Sequence, residues 1–174
     1  MNLSENEFRD LLFTNYRNNI SDLIFGKRNE VQWEGKEFPP IHTLLQKKAE
    51  KTINNILNEL ETLELTAKEL RLKKHEESTT RIDLFGMSED GGITIIELKK
   101  SKQTERQAFT ELLAYANHFC SIFSGAKESS ITTILIAPMK TRTVRDAFAQ
   151  ELLLNNKKII ALIPKEESGV VTLE

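Results

Sequence analysis

Two short stretches constrain this chain more than any other feature. Arg81-Ile82-Asp83-Leu84-Phe85 alternates, Ile93-Thr94-Ile95-Ile96-Glu97-Leu98 is apolar and β-branched, and Met87-Ser88-Glu89-Asp90-Gly91-Gly92 lies between them. Strand-type patterning on both sides of an Asp-Gly turn predicts an antiparallel hairpin. With the turn centred on Asp90, paired residue numbers sum to 180. Ile82 then faces Leu98, Leu84 faces Ile96, and Asp83 lies directly across from Glu97. A two-residue slip keeps the two acids on one face, whereas a slip of one separates them. The apolar pairs cover the opposite face and support the unslipped register.

Around the hairpin the hydrophobic period changes several times. Phe8, Leu11, Leu12, Tyr16 and Ile20 keep a helical spacing, and Leu23, Ile24 and Phe25 extend the stripe to Gly26. Gln32–Gly35 and Phe38-Pro39-Pro40 read as a connector, with Trp33 and Phe38 expected to pack this N-terminal part onto the rest. A second helix is expected from about Ile41 to Leu60, with Leu45, Ala49, Ile53, Ile56, Leu57 and Leu60 facing the core. Glu69–Lys73 alternates as a strand, and Gln103–Phe123 returns to helical spacing. Ile131–Ala137 reads as a strand, Val144–Leu154 as a helix, and Lys158–Ile163 as a strand ended by Pro164. The order α, α, β, β, β, α, β, α, β predicts an α/β (α+β) fold, with a central mixed sheet of about five strands flanked by helices. Residues 1–40 are expected to form a helical extension to a domain spanning 41–174, within one compact unit.

Composition removes several functional classes. With 24 Lys+Arg against 26 Asp+Glu the net charge is −2, which disfavours a protein that coats nucleic acid without specificity. The single cysteine, Cys120, allows no internal disulfide and no cysteine-based zinc cage. Apolar runs such as Ile159–Ile163 are too short to cross a bilayer, and the acidic start MNLSENEFRD lacks the order of a signal peptide. The expectation is a soluble, cytoplasmic protein with no membrane partner. His42, His75 and His118 show no ligand spacing.

The hairpin therefore carries the chemistry. Directly opposed strand residues have Cβ atoms about 4.5–5.5 Å apart, and like charges there are destabilising. Asp83 and Glu97 need a neutralising partner, and a hard divalent cation is the natural one. Mg²⁺ takes one or two protein carboxylates and fills its octahedron with water and phosphate oxygens. Lys99 returns to the same face two residues after Glu97. An ammonium there can hold an attacking water or stabilise charge building on a phosphate. The carbonyl of Leu98 is a further candidate ligand.

Asp83, thirteen intervening residues, and Glu97-Leu98-Lys99 resemble the signature of the PD-(D/E)XK nuclease superfamily. The resemblance covers about residues 41–163 and is closest to the RecB/NucS-type and Mrr-type branch. It implies a restriction-endonuclease-like core. It also implies that Asp83 and Glu97 bind Mg²⁺ or Mn²⁺, with Lys99 as the catalytic lysine. Ile82 holds the place of the usual proline. Members often carry a glutamate on the helix before the sheet, for which Glu50 is the candidate, with Glu61 and Glu7 as alternatives. RecB-type members carry Gln-x-x-x-Tyr on the helix after the lysine strand. The aligned stretch here is Glu111-Leu112-Leu113-Ala114-Tyr115, with Gln107 one turn earlier on the same face. Lys100, Lys102 and Arg106 follow the motif and are candidates for phosphate contact.

The resemblance implies a metal-dependent nuclease acting on nucleic acid, DNA rather than RNA. So small a core is expected to rely on a homodimer or a separate recognition partner. The alternative is a catalytically silent module of the same fold that binds nucleic acid or a partner protein. A purely structural interaction domain is a third reading.

Overall fold

The computed structural model describes residues 3–26, 32–35, 37–74, 78–101, 104–122 and 130–174. Helix α1 (Glu5–Asn15) is followed by a 3-10 turn (Ile20–Leu23) and by α2 (Ile41–Leu60). Then come β1 (Glu64–Lys74), β2 (Ser78–Met87), β3 (Ile93–Leu98), α3 (Glu105–Ile122), β4 (Ile131–Ile136), α4 (Arg142–Leu153) and β5 (Lys158–Leu162). A terminal hairpin, β6 (Pro164–Glu167) and β7 (Val170–Leu173), completes the order.

The main sheet has five strands in the order β1-β2-β3-β4-β5. The first three form an antiparallel meander, and β4 and β5 continue it in parallel. This is the arrangement of a restriction-endonuclease-like core, as expected. Every residue of β4 is buried, because helices cover both faces of a parallel central strand. On one face Leu84, Ile96, Leu98, Ile134 and Ile160 pack against Phe8 and Leu12 of α1 and Ile56 and Leu60 of α2. On the other, Ile95, Leu135 and Ile159 pack against Ala108, Leu112 and Phe119 of α3 and Val144 and Phe148 of α4.

From Leu84 to Met87 the hairpin register is the expected one, but the expected Ile82–Leu98 and Asp83–Glu97 pairs are not part of the ladder. Leu84 pairs with Ile96, Phe85 with Ile95, Gly86 with Thr94 and Met87 with Ile93. The turn closes through Gly91 N–H to the Ser88 carbonyl at 2.9 Å and Ser88 N–H to the Gly92 carbonyl at 3.0 Å. Gly91 takes φ +80°, a conformation that glycine adopts without a steric penalty. The ladder stops at Leu84↔Ile96, and the strands part beyond it. Ile82 accordingly leaves the face of Leu84 and Leu98 and joins Leu70, Leu72 and Ile95 in the other cluster.

Three further expectations are corrected. The first helix ends at Asn15, and the rest of its apolar stripe enters a 3-10 turn and a bridge from Ile24 to Leu173. Trp33 and Phe38 do not pack inward; both are exposed, Phe38 at 83%. β5 does end before Pro164, but the expected element order stops there, whereas Pro164 opens β6, whose turn through Ser168 and Gly169 has positive φ at both residues.

Candidate active site

A polar cleft of about 510 Å³ opens where β2 and β3 part. Its walls are Glu5, Asn6 and Arg9 from α1, Arg71 from β1, Arg81 and Asp83 from β2, and Glu97 from β3 with the adjoining Lys99. Glu111 and Tyr115 of α3 complete it. Asp83 reaches across the gap, and its Oδ2 accepts the Leu98 N–H at 2.9 Å. Glu97 sits at the floor, 2% exposed, and its Oε1 accepts from Lys99 Nζ at 2.5 Å. Lys99 Nζ also lies 3.7 Å from Glu111 Oε2. The hairpin thus brings Asp83, Glu97 and Lys99 together, and the α3 face adds Glu111 and Tyr115.

The electrostatics derive from burial. Desolvation, reinforced by the Asp83 charge, pushes the Glu97 carboxyl up to about 8. Burial works against the Lys99 ammonium, yet bonding to Glu97 and the charges of Asp83 and Glu111 outweigh it and raise Lys99 above its ordinary value. Burial, then the charges of Glu97, Glu111 and Asp83, raise the Tyr115 phenol. It stays neutral and donates to the Arg81 carbonyl at 3.1 Å, tying α3 to β2.

Glu97 Oε2 is buried and has no hydrogen-bond partner among the described residues. A buried carboxylate oxygen left unpaired is costly, and the groups beside it are another carboxylate and an ammonium. Two carboxylates of this kind are the oxygen donors a hard divalent cation takes, with water or phosphate filling the remaining positions. Among the described residues no group of three or more His, Cys, Asp and Glu side chains is placed to hold a metal ion. Glu5 and Glu111 line the same cleft as these two acids.

The other candidates fall elsewhere. Glu50 lines a separate, largely apolar cleft of about 430 Å³ beside β5, with Ile53, Leu57, Phe148 and Leu152. The helical face it shares with Ile53 and Leu57 points away from the hairpin cleft. Glu7 is spent on the α1 cap, where Ser4 N–H donates to its carboxylate at 2.8 Å and its own N–H bonds Ser4 Oγ at 3.2 Å. Glu61 caps the end of α2. Gln107 donates to Glu111 at 2.7 Å but does not line the cleft. Lys100 and Arg106 are exposed outside the cleft lining, and Lys102 lies outside the described residues. Among the described acids of the helices before the sheet, Glu5 lines the cleft, and its Oε1 accepts the Lys100 N–H at 2.8 Å.

Sequence reasoning also missed Arg9, Glu69 and Arg81. Arg9 Nη1 lies 3.3 Å from Asp83 Oδ1 and its Nη2 2.9 Å from Glu69 Oε1. Arg81 meets the same Glu69 oxygen at 2.9 Å. Arg9 and Asp83 are 74 residues apart, so no local pattern joins them.

No family model matches the chain, and no curated protein matches it significantly. Among solved structures it is similar to a repair endonuclease from Pyrococcus abyssi at 16% identity and a TM-score of 0.38, over 73% of this chain and 48% of that one. It is similar to EndoMS in a dsDNA complex at 17% and 0.37, over 78% and 51%. Pyrococcus furiosus SfsA in complex with Ca²⁺ overlaps at 17% and 0.39, over 76% and 62%. The chain spans about half the length of the first two.

Proposed function

We propose that the chain is a metal-dependent nuclease that hydrolyses phosphodiester bonds, with DNA as the substrate that the motif resemblance implies. Asp83 and Glu97 would hold Mg²⁺ or Mn²⁺, with the Leu98 carbonyl as a further ligand. The bound ion supplies Lewis acidity at phosphate oxygen. The remaining work belongs to the chain. Lys99, kept protonated by its acidic neighbours, holds the attacking water or meets the charge that develops on phosphorus-bound oxygen. Glu111, 3.7 Å from Lys99 Nζ, helps to orient the ammonium. Tyr115 fixes α3 against β2, and Arg71 and Arg81 offer positive charge to neighbouring phosphates.

One observation carries this reading: Glu97, buried at the floor of an open polar cleft with one oxygen unpaired, beside Asp83 and Lys99. Purified protein with Mn²⁺ or Mg²⁺ should degrade plasmid, linear, single-stranded or RNA substrate on a gel. Glu97→Gln, Asp83→Asn and Lys99→Met should each lower the rate at least about a hundredfold. Persistent cleavage by Glu97→Gln at wild-type rate would contradict the assignment.

A second reading has its own observation. Asp83 is already paired with Arg9, and Glu97 with Lys99, so both carboxylates are neutralised within the chain. A catalytically silent module of this fold, binding nucleic acid or a protein partner, would keep such pairs closed. It would bind nucleic acid without cutting and show no thermal response to Mn²⁺.

A further inference from the structure

Arg9 is an arginine in an unusual place. It projects from α1 between the core residues Phe8 and Leu12, and its side chain is 7% exposed. Burying a guanidinium is unfavourable unless its charge is matched, and removing one member of such a set leaves the other uncompensated. Its two partners are Asp83 and Glu69, while its Nε has no partner among the described residues.

Glu69 is specialised for this contact. Its β1 neighbours Lys68 and Leu70 pair with Leu84 and Ile82, which places Glu69 opposite Asp83. It takes φ +54° in mid-strand, a left-handed conformation that is strained for a side chain of its kind. From there one carboxylate oxygen takes both Arg9 and Arg81 at 2.9 Å. Two guanidinium groups are thus pinned beside Asp83 by a residue whose backbone departs from the strand to reach them.

The charges in the cleft divide into two sets. Lys99 answers Glu97, and Arg9 answers Asp83. Lys99 follows the acids on the same strand face, but Arg9 arrives from a different helix and occupies an oxygen of Asp83. A dication at Asp83 and Glu97 would meet the Arg9 charge directly.

We propose that Arg9 is a positioning residue, the resident counter-ion of this cleft: it holds Asp83 while no metal is bound, and a divalent cation must displace it from that carboxylate. Glu69 is the anchor that draws the guanidinium away from Asp83 when it is displaced. The proposal rests on reading Asp83 and Glu97 as metal ligands. It predicts opposite effects for the two ends of one ion pair. Arg9→Met and Arg9→Gln remove the competing charge and should tighten binding of Mn²⁺ roughly tenfold or more. Glu69→Gln removes the anchor and a nearby negative charge, and should weaken it. Arg9→Lys restores the charge and should return the affinity toward wild type. A merely structural role for the pair would move Arg9 and Glu69 variants in the same direction.

The test is calorimetric titration of the full chain with Mn²⁺ alone, with the melting temperature recorded for each variant. Tighter binding by either neutral Arg9 variant together with weaker binding by Glu69→Gln supports the proposal. Equal or weaker binding by the neutral Arg9 variants overturns it, provided the wild-type chain binds Mn²⁺ and loses it in Asp83→Asn and Glu97→Gln. A wild-type chain that takes up no Mn²⁺, or takes it up regardless of those two acids, overturns the metal-site reading and Arg9's part with it.

Discussion

At Glu97 the folded chain bears a cost that the unfolded chain does not. A carboxyl shifted from 4.5 to about 8 binds a proton more tightly in the folded state than in the unfolded one. The stability that this proton contributes is complete below about 4.5 and is lost as pH rises through about 8. Without divalent metal, the melting temperature should therefore fall between about pH 5 and about pH 8.5. Glu97→Gln, which cannot ionise, should be flatter over that window and more stable than wild type at its upper end. A wild-type curve parallel to that of Glu97→Gln would contradict the assignment of the buried charge. Asp83, Glu97 and Lys99 are legible at this scale because strand period and turn composition determine which side chains share a face. Glu50 is not placed correctly by sequence because a helix has several acidic positions, and only packing decides which face looks into the cleft. Arg9 and Glu69 could not be found from spacing, since their meeting depends on how α1 crosses the sheet.

Among the elements, α1 has a role beyond its length. Its start follows the Ser-x-x-Glu pattern of a capping box, with Ser4 and Glu7 satisfying one another's backbone N–H groups. Losing such a cap costs about 1 kcal/mol, so Ser4→Ala should lower the melting temperature by about 2–4 °C. Because the same helix presents Glu5 and Arg9 to the cleft, that variant should also alter Mn²⁺ affinity; an unchanged affinity would show that the first turn of α1 does not shape the site. Long periodic elements such as α2 and the β2–β3 hairpin are read closely from the sequence. The errors lie where the signal is short: the 3-10 turn after α1, and the β6–β7 hairpin. The Ser168-Gly169 dipeptide marks that hairpin, but the proline before it reads locally as a stop. Glu105 shows another tertiary effect. It is fully buried and accepts the N–H groups of Lys140 and Thr141, joining α3 to the start of α4.

Across the whole molecule, the sheet separates two apolar clusters and places the polar cleft where β2 and β3 of its antiparallel part diverge. Expected element order and observed topology agree there, because a meander followed by β–α–β units leaves few ways to bury both sheet faces. Among the described residues no helix is long and apolar enough to cross a membrane. The fold explains why the acids meet at a strand divergence rather than within a closed ladder. There the backbone N–H of Leu98 is available to Asp83, and Glu97 keeps an unpaired oxygen facing its neighbours. Whether this pair of acids holds a cation, as proposed, can be read from the anomalous difference density of crystals grown with Mn²⁺. The proposed site requires a peak within coordination distance, about 2 Å, of oxygens from both Asp83 and Glu97. Crystals saturated with Mn²⁺ that show no peak between these two side chains, and leave Arg9 on Asp83, would contradict it.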